Sequence, residues 1–329
     1  MQVGSVAVPR SGAPRKVIVG TVVQAFWVEY PGLERRLEQL AAIVDRMAQQ
    51  SAAKYGRSLD LAVLPEVAVC GEAGRDVMDR AFPFDGPVRD VFSRKAREHR
   101  CYIVVPMYLL EDRAKRLCFN AGVLVGRKGE TVGIYRKLYP AVQAGSDSME
   151  SGITPGRQAP VFDCDFGRLG IQICFDMEFE YGWRELARQG AELVAWPTQS
   201  PQTTHPAARA MQNRLYIVSS TWRNNATIFE PTGKIAAQIR DQGQTLVEEL
   251  DLSYVILPWS SKLQKGEALR KMYGDRVGFR YYEDEDLGLF WSNDAQVPIR
   301  EMIRSLGLAD QQQEWQRVRS LFRKAGVPD

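Results

Sequence analysis

Over its first 250 positions the chain switches between two hydrophobic periods. Val17 to Phe26 is apolar and β-branched, which predicts a core strand. Leu33, Leu37, Leu40, Val44 and Met47 then recur at helical spacing with charges between them, predicting an amphipathic helix of roughly four to five turns. Leu59 to Leu64 reads as a buried strand ending in Pro65-Glu66, and Val88 to His99 as a helix. Strands follow over Cys101 to Met107, Leu117 to Val125 and Glu130 to Tyr135, the last two joined by the turn Gly126 to Gly129. Lys137 comes just after this hairpin, and Gln143 to Gly156, rich in Ser and Gly, reads as loop.

The same rhythm then recurs. Val161 to Phe166 and Arg168 to Ile173 read as a hairpin pair. Phe179 to Arg188 reads as a helix, with Asp176 as its cap and Gly190 at its end, and Leu193 to Trp196 as a short buried strand closed by Pro197. A helix over Ala207 to Arg214 runs into a strand over Leu215 to Ser220. Thr227 to Glu230 and Lys234 to Ile239 form a hairpin, and Thr245 to Leu250 is a closing strand. Two rounds of strand and helix, each followed by hairpins, predict an α/β fold of two mixed β-sheets face to face with helices outside. No internal sequence repeat accompanies the recurring pattern.

From about Tyr254 aromatics and charges mix, as in RYYEDEDLGLFW, and Ser260 to Tyr273 and Ile299 to Ala325 look helical. This segment is too irregular for a second core. The expected organisation is a disordered tail over residues 1–15, a main domain over 16–253, and an extension over 254–329 that packs on the domain or on a partner subunit. The run Glu283 to Asp286 reads as a solvated turn.

Composition works by exclusion. The chain has 329 residues, 45% of them hydrophobic, enough for one large domain or two small ones. A formal charge of +3 is too small to argue for nucleic acid or a membrane surface. No apolar run has the length of a transmembrane helix, and the first residues lack the apolar stretch of a secretory signal. Five cysteines with no CxxC argue against a disulfide framework or structural zinc and fit a reducing cytoplasm. His99, in a charged helical stretch, reads as solvated, and neither it nor His205 has a partner at metal-ligand spacing. With histidine so scarce, the base for any nucleophile is sought among carboxylates.

Glu66, Lys137 and Cys174 each sit just past the C-terminal end of an expected core strand, where open α/β sheets bind ligands. Singly, each has an ordinary reading: a helix cap, a surface lysine, a buried inert thiol. Together they supply a base, an oxyanion-stabilising cation and a nucleophile. Cys174 faces the start of the next helix, whose partial positive charge favours a thiolate.

LAVLPE, YRKLYP and GIQICFDMEFEYGWRELARQGAEL stand in this order, with AARAMQNRLYIVSS and FEPTGKI downstream. On these motifs the chain, from about Val17 to Leu250, resembles the nitrilase superfamily of carbon–nitrogen hydrolases and its amidase-like branch. The resemblance implies a four-layer αββα sandwich and a homodimer or higher homo-oligomer formed through helices beside the cysteine. It implies Glu66 as general base, Cys174 as nucleophile, and Lys137 with the backbone N–H of Phe175 at the oxyanion. Glu150, in MESGITPG, fits the family's further glutamate after the lysine. Trp196, Pro197 and Thr198 are expected to bind substrate. The implied mechanism requires no metal or organic cofactor, and the implied partner is a small-molecule amide or carbamoyl substrate.

Some positions depart from the common amidase pattern. Glu178 stands where the family often has arginine, Glu180 and Tyr181 where proline and glutamate are common, and Gln212 where a glutamate precedes the asparagine, here Asn213. Phe-Asp after the cysteine resembles amidases, whereas nitrile hydrolases usually have Trp-Glu. N-carbamoyl amino-acid hydrolases remain an alternative; they need cations for a carboxylate, and Arg184 and Arg209 are candidates. A non-catalytic dimeric scaffold is the alternative of another class.

Overall fold

The computed structural model of the chain describes residues 13–26, 30–71, 76–142, 145, 147–150 and 152–327. Most of the expected N-terminal tail, and part of the loop between Gln143 and Gly156, lie outside the described residues. The described residues form two compact units, one over Val17–Leu250 and one made of residues 13–16 with 251–327.

In the first unit, β1 (Lys16–Val22), α1 (Leu33–Tyr55), β2 (Leu61–Val63), α2 (Val77–Arg80), α3 (Pro87–His99), β3 (Tyr102–Asp112), β4 (Leu117–Val125) and β5 (Thr131–Arg136) make the first half. The second half runs β6 (Val161–Cys164), β7 (Gly167–Ile171), α4 (Glu180–Arg188), β8 (Leu193–Pro197), α5 (Thr204–Asn213), β9 (Tyr216–Ser220), β10 (Ala226–Phe229) and β11 (Ile235–Ile239), closed by β12 (Thr245–Asp251). The strands form two six-stranded sheets, ordered β12-β1-β2-β3-β4-β5 and β11-β10-β9-β8-β7-β6.

Connection chemistry sets the strand directions. β1, β2 and β3 are parallel, because helical crossovers separate them, and β3, β4 and β5 are antiparallel, because tight turns join them. The second sheet repeats the scheme with β7, β8 and β9 parallel and β9, β10 and β11 antiparallel. The helices α1 and α3 pack together on one side, and α4 and α5 on the other. In α1 the residues Leu37, Leu40, Val44 and Met47 of the stripe marked by the sequence spacing are buried, with Ile43 beside them, while Leu33 is half-buried. The result is an αββα sandwich of two mixed sheets.

Between the sheets the backbones come close. A Cβ at Gly122 of β4 would stand 3.1 Å from the Ile171 side chain of β7 and 3.6 Å from Val104 of β3. Ser220 Oγ donates to the Val22 carbonyl at 3.2 Å, tying β9 to β1 across the two sheets.

Several local expectations change. The first helix is longer than its apolar stripe suggests, reaching Tyr55 before Gly56 turns it off in the left-handed region (φ 64°). α5 begins at Thr204, with Pro206 in its first turn, where a missing N–H costs nothing. His99 is half-buried, its Nε2 2.6 Å from Asp45 Oδ1, because α3 packs on α1 there. Asp45, Glu98 and His99 gather closely enough to suggest a cation site, but the Lys95 ammonium bonds both acids, at 2.9 and 3.0 Å, and supplies the positive charge itself.

The second unit corrects the expectation of a segment without a core. β13 (Val255–Pro258), β14 (Val277–Tyr282) and β15 (Leu287–Ser292) form an antiparallel sheet ordered β13-β15-β14. The helices α6 (Glu267–Tyr273), α7 (Ile299–Ser305) and α8 (Gln311–Lys324) accompany it. Val255, Leu257, Leu269, Phe290, Met302 and Ile303 are among the members of its own buried cluster. RYYEDEDLGLFW is a hairpin, with the acidic run as its turn. Among the described residues, no helix is long and apolar enough to cross a membrane.

The close approach of the two sheets gives a stability test. Gly122→Val places two methyl groups against Ile171 and Val104. Overpacking of this kind costs about 1–3 kcal/mol. The urea midpoint falls accordingly with an unchanged m-value, whereas an unchanged midpoint means that the sheets are not in contact at this point.

Candidate active site

The two sheets bring Glu66, Lys137 and Cys174 to one end of the sandwich. Glu66 follows β2, Lys137 follows β5, and Cys174 opens a 3-10 turn (Cys174–Glu178) after β7. Lys137 is buried and is the hub. Its Nζ donates to Glu66 Oε1 at 2.9 Å and, by a shorter contact, to Glu150 Oε1. Asn120, buried in β4, donates through one amide nitrogen to Glu66 Oε1 at 2.9 Å and to Glu150 Oε2 at 3.0 Å. Glu150 Oε1 also accepts from the Ala141 N–H at 2.9 Å.

This leaves the two Glu66 oxygens unlike. Oε1 is engaged by Lys137 and Asn120, while Oε2 is buried and has no hydrogen-bond partner among the described residues. Trp222 Nε1 donates to the Glu66 carbonyl at 2.8 Å and fixes the backbone behind it. Burial raises the Glu66 pKa above the usual carboxylate value; Lys137 opposes the shift and Glu150 adds to it. Burial works against the charge on Lys137, yet Glu66 and Glu150 outweigh it and hold the ammonium well above an ordinary lysine. The lysine is therefore a fixed cation.

Cys174 lies in the left-handed backbone region (φ 43°), which a side chain other than glycine seldom adopts. The turn is held by Asp176, whose carboxylate accepts from the Ile173 N–H at 2.8 Å, from the Tyr135 hydroxyl at 2.7 Å and from the Tyr139 N–H at 2.9 Å. So Asp176 pins the nucleophile turn to the far sheet rather than capping α4. Burial pushes its carboxyl up to about 6, against the pull of Lys137 and these donors. The turn leaves the N–H groups of Cys174 and Phe175 without a partner inside it.

The thiol sits against the hydroxyl of Thr198 and the N–H of Gln199, which both favour its charged form. Burial and the nearby Glu66 are stronger, and push the Cys174 thiol up to about 12 despite Lys137. The resting thiol is thus protonated, not the thiolate that the helix-start argument predicts. The following element is a single 3-10 turn, and its weak dipole does not offset desolvation of a half-buried thiol beside a carboxylate.

The other expected residues separate. Thr198 is buried beside the thiol, and its Oγ1 accepts from the Ser200 N–H at 2.8 Å. Trp196 has no exposed surface and donates through Nε1 to the Cys174 carbonyl at 3.2 Å, so it stands behind the nucleophile. Pro197 ends β8, also buried. Arg209 reaches the Met177 carbonyl at 3.4 Å and Glu180 at 3.6 Å, and Arg184 is exposed on α4. Glu178 meets Gln202 at 3.0 Å and His205 at 3.3 Å, on the surface. Cys70, Cys101 and Cys118 are buried, and burial raises their pKa to about 11 to 12.

Asn120 is the member that sequence reasoning misses. Its signal was a lone amide inside the apolar run LCFNAGVLV, and a buried amide in a strand needs partners.

Known proteins resemble this chain in both sequence and fold. It is 27% identical to the nitrilase and fragile histidine triad fusion protein NitFhit of Drosophila melanogaster, over 66% of this chain and 50% of that one, so the match spans half of the fusion protein. It is 26% identical to omega-amidase NIT2-A of Xenopus laevis, over 52% of this chain and 68% of that one. Its fold is similar to that of Saccharomyces cerevisiae Nit3, a member of branch 10 of the nitrilase superfamily, with a TM-score of 0.61 and 19% identity over 72% of this chain and 90% of that chain. Residues 21–257 match the family model described as carbon-nitrogen hydrolase, and the chain belongs to that family.

Proposed function

We propose that this chain hydrolyses the carbon–nitrogen bond of a small carboxamide through a cysteine thioester. The observation that carries the reading is the buried, unpaired Oε2 of Glu66 in a site whose other carboxylate oxygens are engaged. As the carbonyl carbon is attacked by Cys174 Sγ, Glu66 Oε2 takes the thiol proton. A raised carboxyl pKa suits this task, because it makes Glu66 a stronger base. Proton transfer accompanies attack, since the thiol is not ionised at rest.

The carbonyl oxygen becomes an oxyanion, stabilised by the Lys137 ammonium and the Phe175 N–H. Glu66 returns the proton to the departing nitrogen, and the C–N bond breaks to leave the thioester and free ammonia or amine. Water then gives a proton to Glu66 and adds to the thioester. The acid departs and the proton returns to Cys174. Glu150 is a positioning residue that holds Lys137 between two carboxylates.

The similarity to an omega-amidase supports an amide over a nitrile, as does Phe-Asp after the cysteine. It also ranks the amide above an N-carbamoyl group, because Arg209 is engaged by Glu180 and Met177, and Arg184 is exposed. A non-catalytic scaffold has no use for a buried lysine between two glutamates, which is costly to maintain.

The chain is also proposed to self-associate through α4 and α5. Tyr181 and Met211 there are 55% and 52% exposed, and Phe179 is 39% exposed, an apolar set unusual for open surface. Sedimentation of the wild type at micromolar concentration gives a dimer or larger, and Met211→Glu shifts it toward monomer. A wild type that sediments as a monomer ends this part of the reading.

Two tests address the chemistry. In a screen of amides, N-carbamoyl amino acids and nitriles that reads ammonia release, Cys174→Ala abolishes turnover and Glu66→Gln loses more than roughly 100-fold. Cys174 also carries a trapped acyl group by intact mass in the wild type. A Cys174→Ala protein that still releases ammonia contradicts the mechanism.

The second test reads the thiol directly. Alkylation of wild-type Cys174 by iodoacetamide climbs continuously through the alkaline range, because the thiol is pushed up to about 12. Lys137→Met removes the cation that favours the thiolate, so alkylation slows further at each pH. In the same variant kcat falls by roughly 100- to 1000-fold. A plateau of alkylation below pH 8, or an unchanged Lys137→Met protein, contradicts the assignment.

A further inference from the structure

The second unit carries a helix that its own core does not cover. α8 is tied down at its start by Asp310. The Oδ1 of that residue accepts from the Gln312 N–H at 2.9 Å, and its Oδ2 accepts from the Ile256 N–H of β13 at 3.1 Å. Gln311, Glu314 and Val318 are half-buried where α8 packs on β13. No residue of the helix is fully buried, and every residue from Arg319 to Val327 is exposed.

What α8 exposes is not what a solvated helix exposes. Trp315 is 49% exposed, Leu321 51% and Phe322 52%. With Val318 and Ala325 they recur three and four residues apart, which sets them along one stripe. Val318 turns part of that stripe toward β13, and past it the helix runs on with Leu321 and Phe322 uncovered. Large apolar side chains grouped in this way mark an interaction surface.

Charge identifies what the surface meets. α8 holds four cations, Arg317, Arg319, Arg323 and Lys324, against one acid, Glu314, which Arg317 engages at 2.9 Å. That surplus equals the +3 of the whole chain, so the remainder is neutral and the average conceals a basic helix. At roughly 100° per residue, Arg319 and Arg323 fall along one edge of the stripe, and Arg317 and Lys324 along the other. A second copy of α8 would set like cations against like, which opposes self-pairing. A protein groove reads a helix through an unbroken run of anchors, and here Val318, the middle anchor, is already half-buried on β13. A lipid surface needs no such run. It takes a few apolar side chains and lets flanking arginine and lysine reach the headgroups.

We propose that α8 docks the protein on the surface of an anionic phospholipid membrane. Trp315, Leu321 and Phe322 enter the headgroup region, and the cations on both edges meet the lipid phosphates. Apolar insertion and charge attraction each bind weakly alone, and α8 combines them. The docking goes beyond amide hydrolysis and does not rest on it, since α8 contains none of the candidate active-site residues.

Flotation of the full chain with vesicles tests the docking. Wild type floats with phosphatidylcholine vesicles carrying about one third phosphatidylglycerol, and stays behind with phosphatidylcholine alone. Raising NaCl from about 0.05 M to about 0.5 M releases it, because exposed charges are screened over that range. Arg319→Gln combined with Lys324→Gln weakens binding roughly 30-fold, at about 5-fold for each cation. Phe322→Glu removes an inserted side chain and weakens binding by more than roughly 10-fold. No flotation on anionic vesicles at low salt, equal flotation on neutral ones, or binding that survives these variants overturns the proposal.

Two further outcomes also overturn it. If wild type ignores vesicles and Phe322→Glu shifts its sedimentation toward monomer, the stripe belongs to a second copy. If wild type ignores vesicles but is retained on immobilised polyglutamate, it belongs to an acidic protein. The salt dependence needs no variant, so it decides should a variant fail to fold.

Discussion

The ion cluster around Lys137 is the constraint on which the site depends. A lysine buried between two glutamates loses its hydration and replaces it with their oxygens, while the Asn120 amide bridges the same two carboxylates. Removing one member strands the others in a dry environment, and breaking a buried pair typically costs about 3–5 kcal/mol. The cluster also settles the division of labour within Glu66. Because Lys137 and Asn120 share Oε1, Oε2 is the oxygen left without a partner among the described residues. A carboxylate held through one oxygen has its orientation fixed while the other stays open.

The fold supplies that cluster by ending β2 and β5 of the first sheet at one place, with Cys174 brought beside it from the end of β7 in the second. The cost appears in the backbone. Val67, just after Glu66, has φ 46°, Glu150 has φ 41° and Cys174 has φ 43°. For a β-branched residue such as Val67 this is a rare conformation. The turns at Val67 and Cys174 are braced by contacts that span the sandwich. Tyr135 and Tyr139, at the end of the first sheet, reach Asp176 in the turn after β7, and Trp222, after β9, reaches the Glu66 carbonyl after β2. Glu66 and the Cys174 turn are therefore each positioned by contacts from the other sheet, and packing between the sheets becomes part of the geometry of the candidate site.

Much of this was legible in the sequence. The recurring strand–helix and hairpin pattern marked two sheets, because connection type dictates strand direction. Glu66, Lys137 and Cys174 stood out as reactive residues at strand ends. Asn120 did not, because its role is set by a partner strand that brings it opposite Tyr108 and beside two distant glutamates. The charge state of Cys174 was not legible either. The position suggested a helix end acting on a thiol, while the actual balance of burial, Glu66 and Lys137 exists only in three dimensions. In the second unit, glycines and charges hid three strands whose apolar residues are too sparse to show an alternating pattern.

The departures from the amidase pattern fall into a spatial order that bears on specificity. Glu178 makes surface contacts with Gln202 and His205, Glu180 pairs with Arg209, and Gln212 is exposed on α5. None of them touches the Glu66–Lys137–Glu150–Asn120 cluster. The cluster is held by burial and mutual hydrogen bonding, where substitution is costly. The rim is held by exposed pairs, which are worth roughly 0–1 kcal/mol each and exchange at little cost. Exchange at the rim therefore leaves the buried cluster undisturbed.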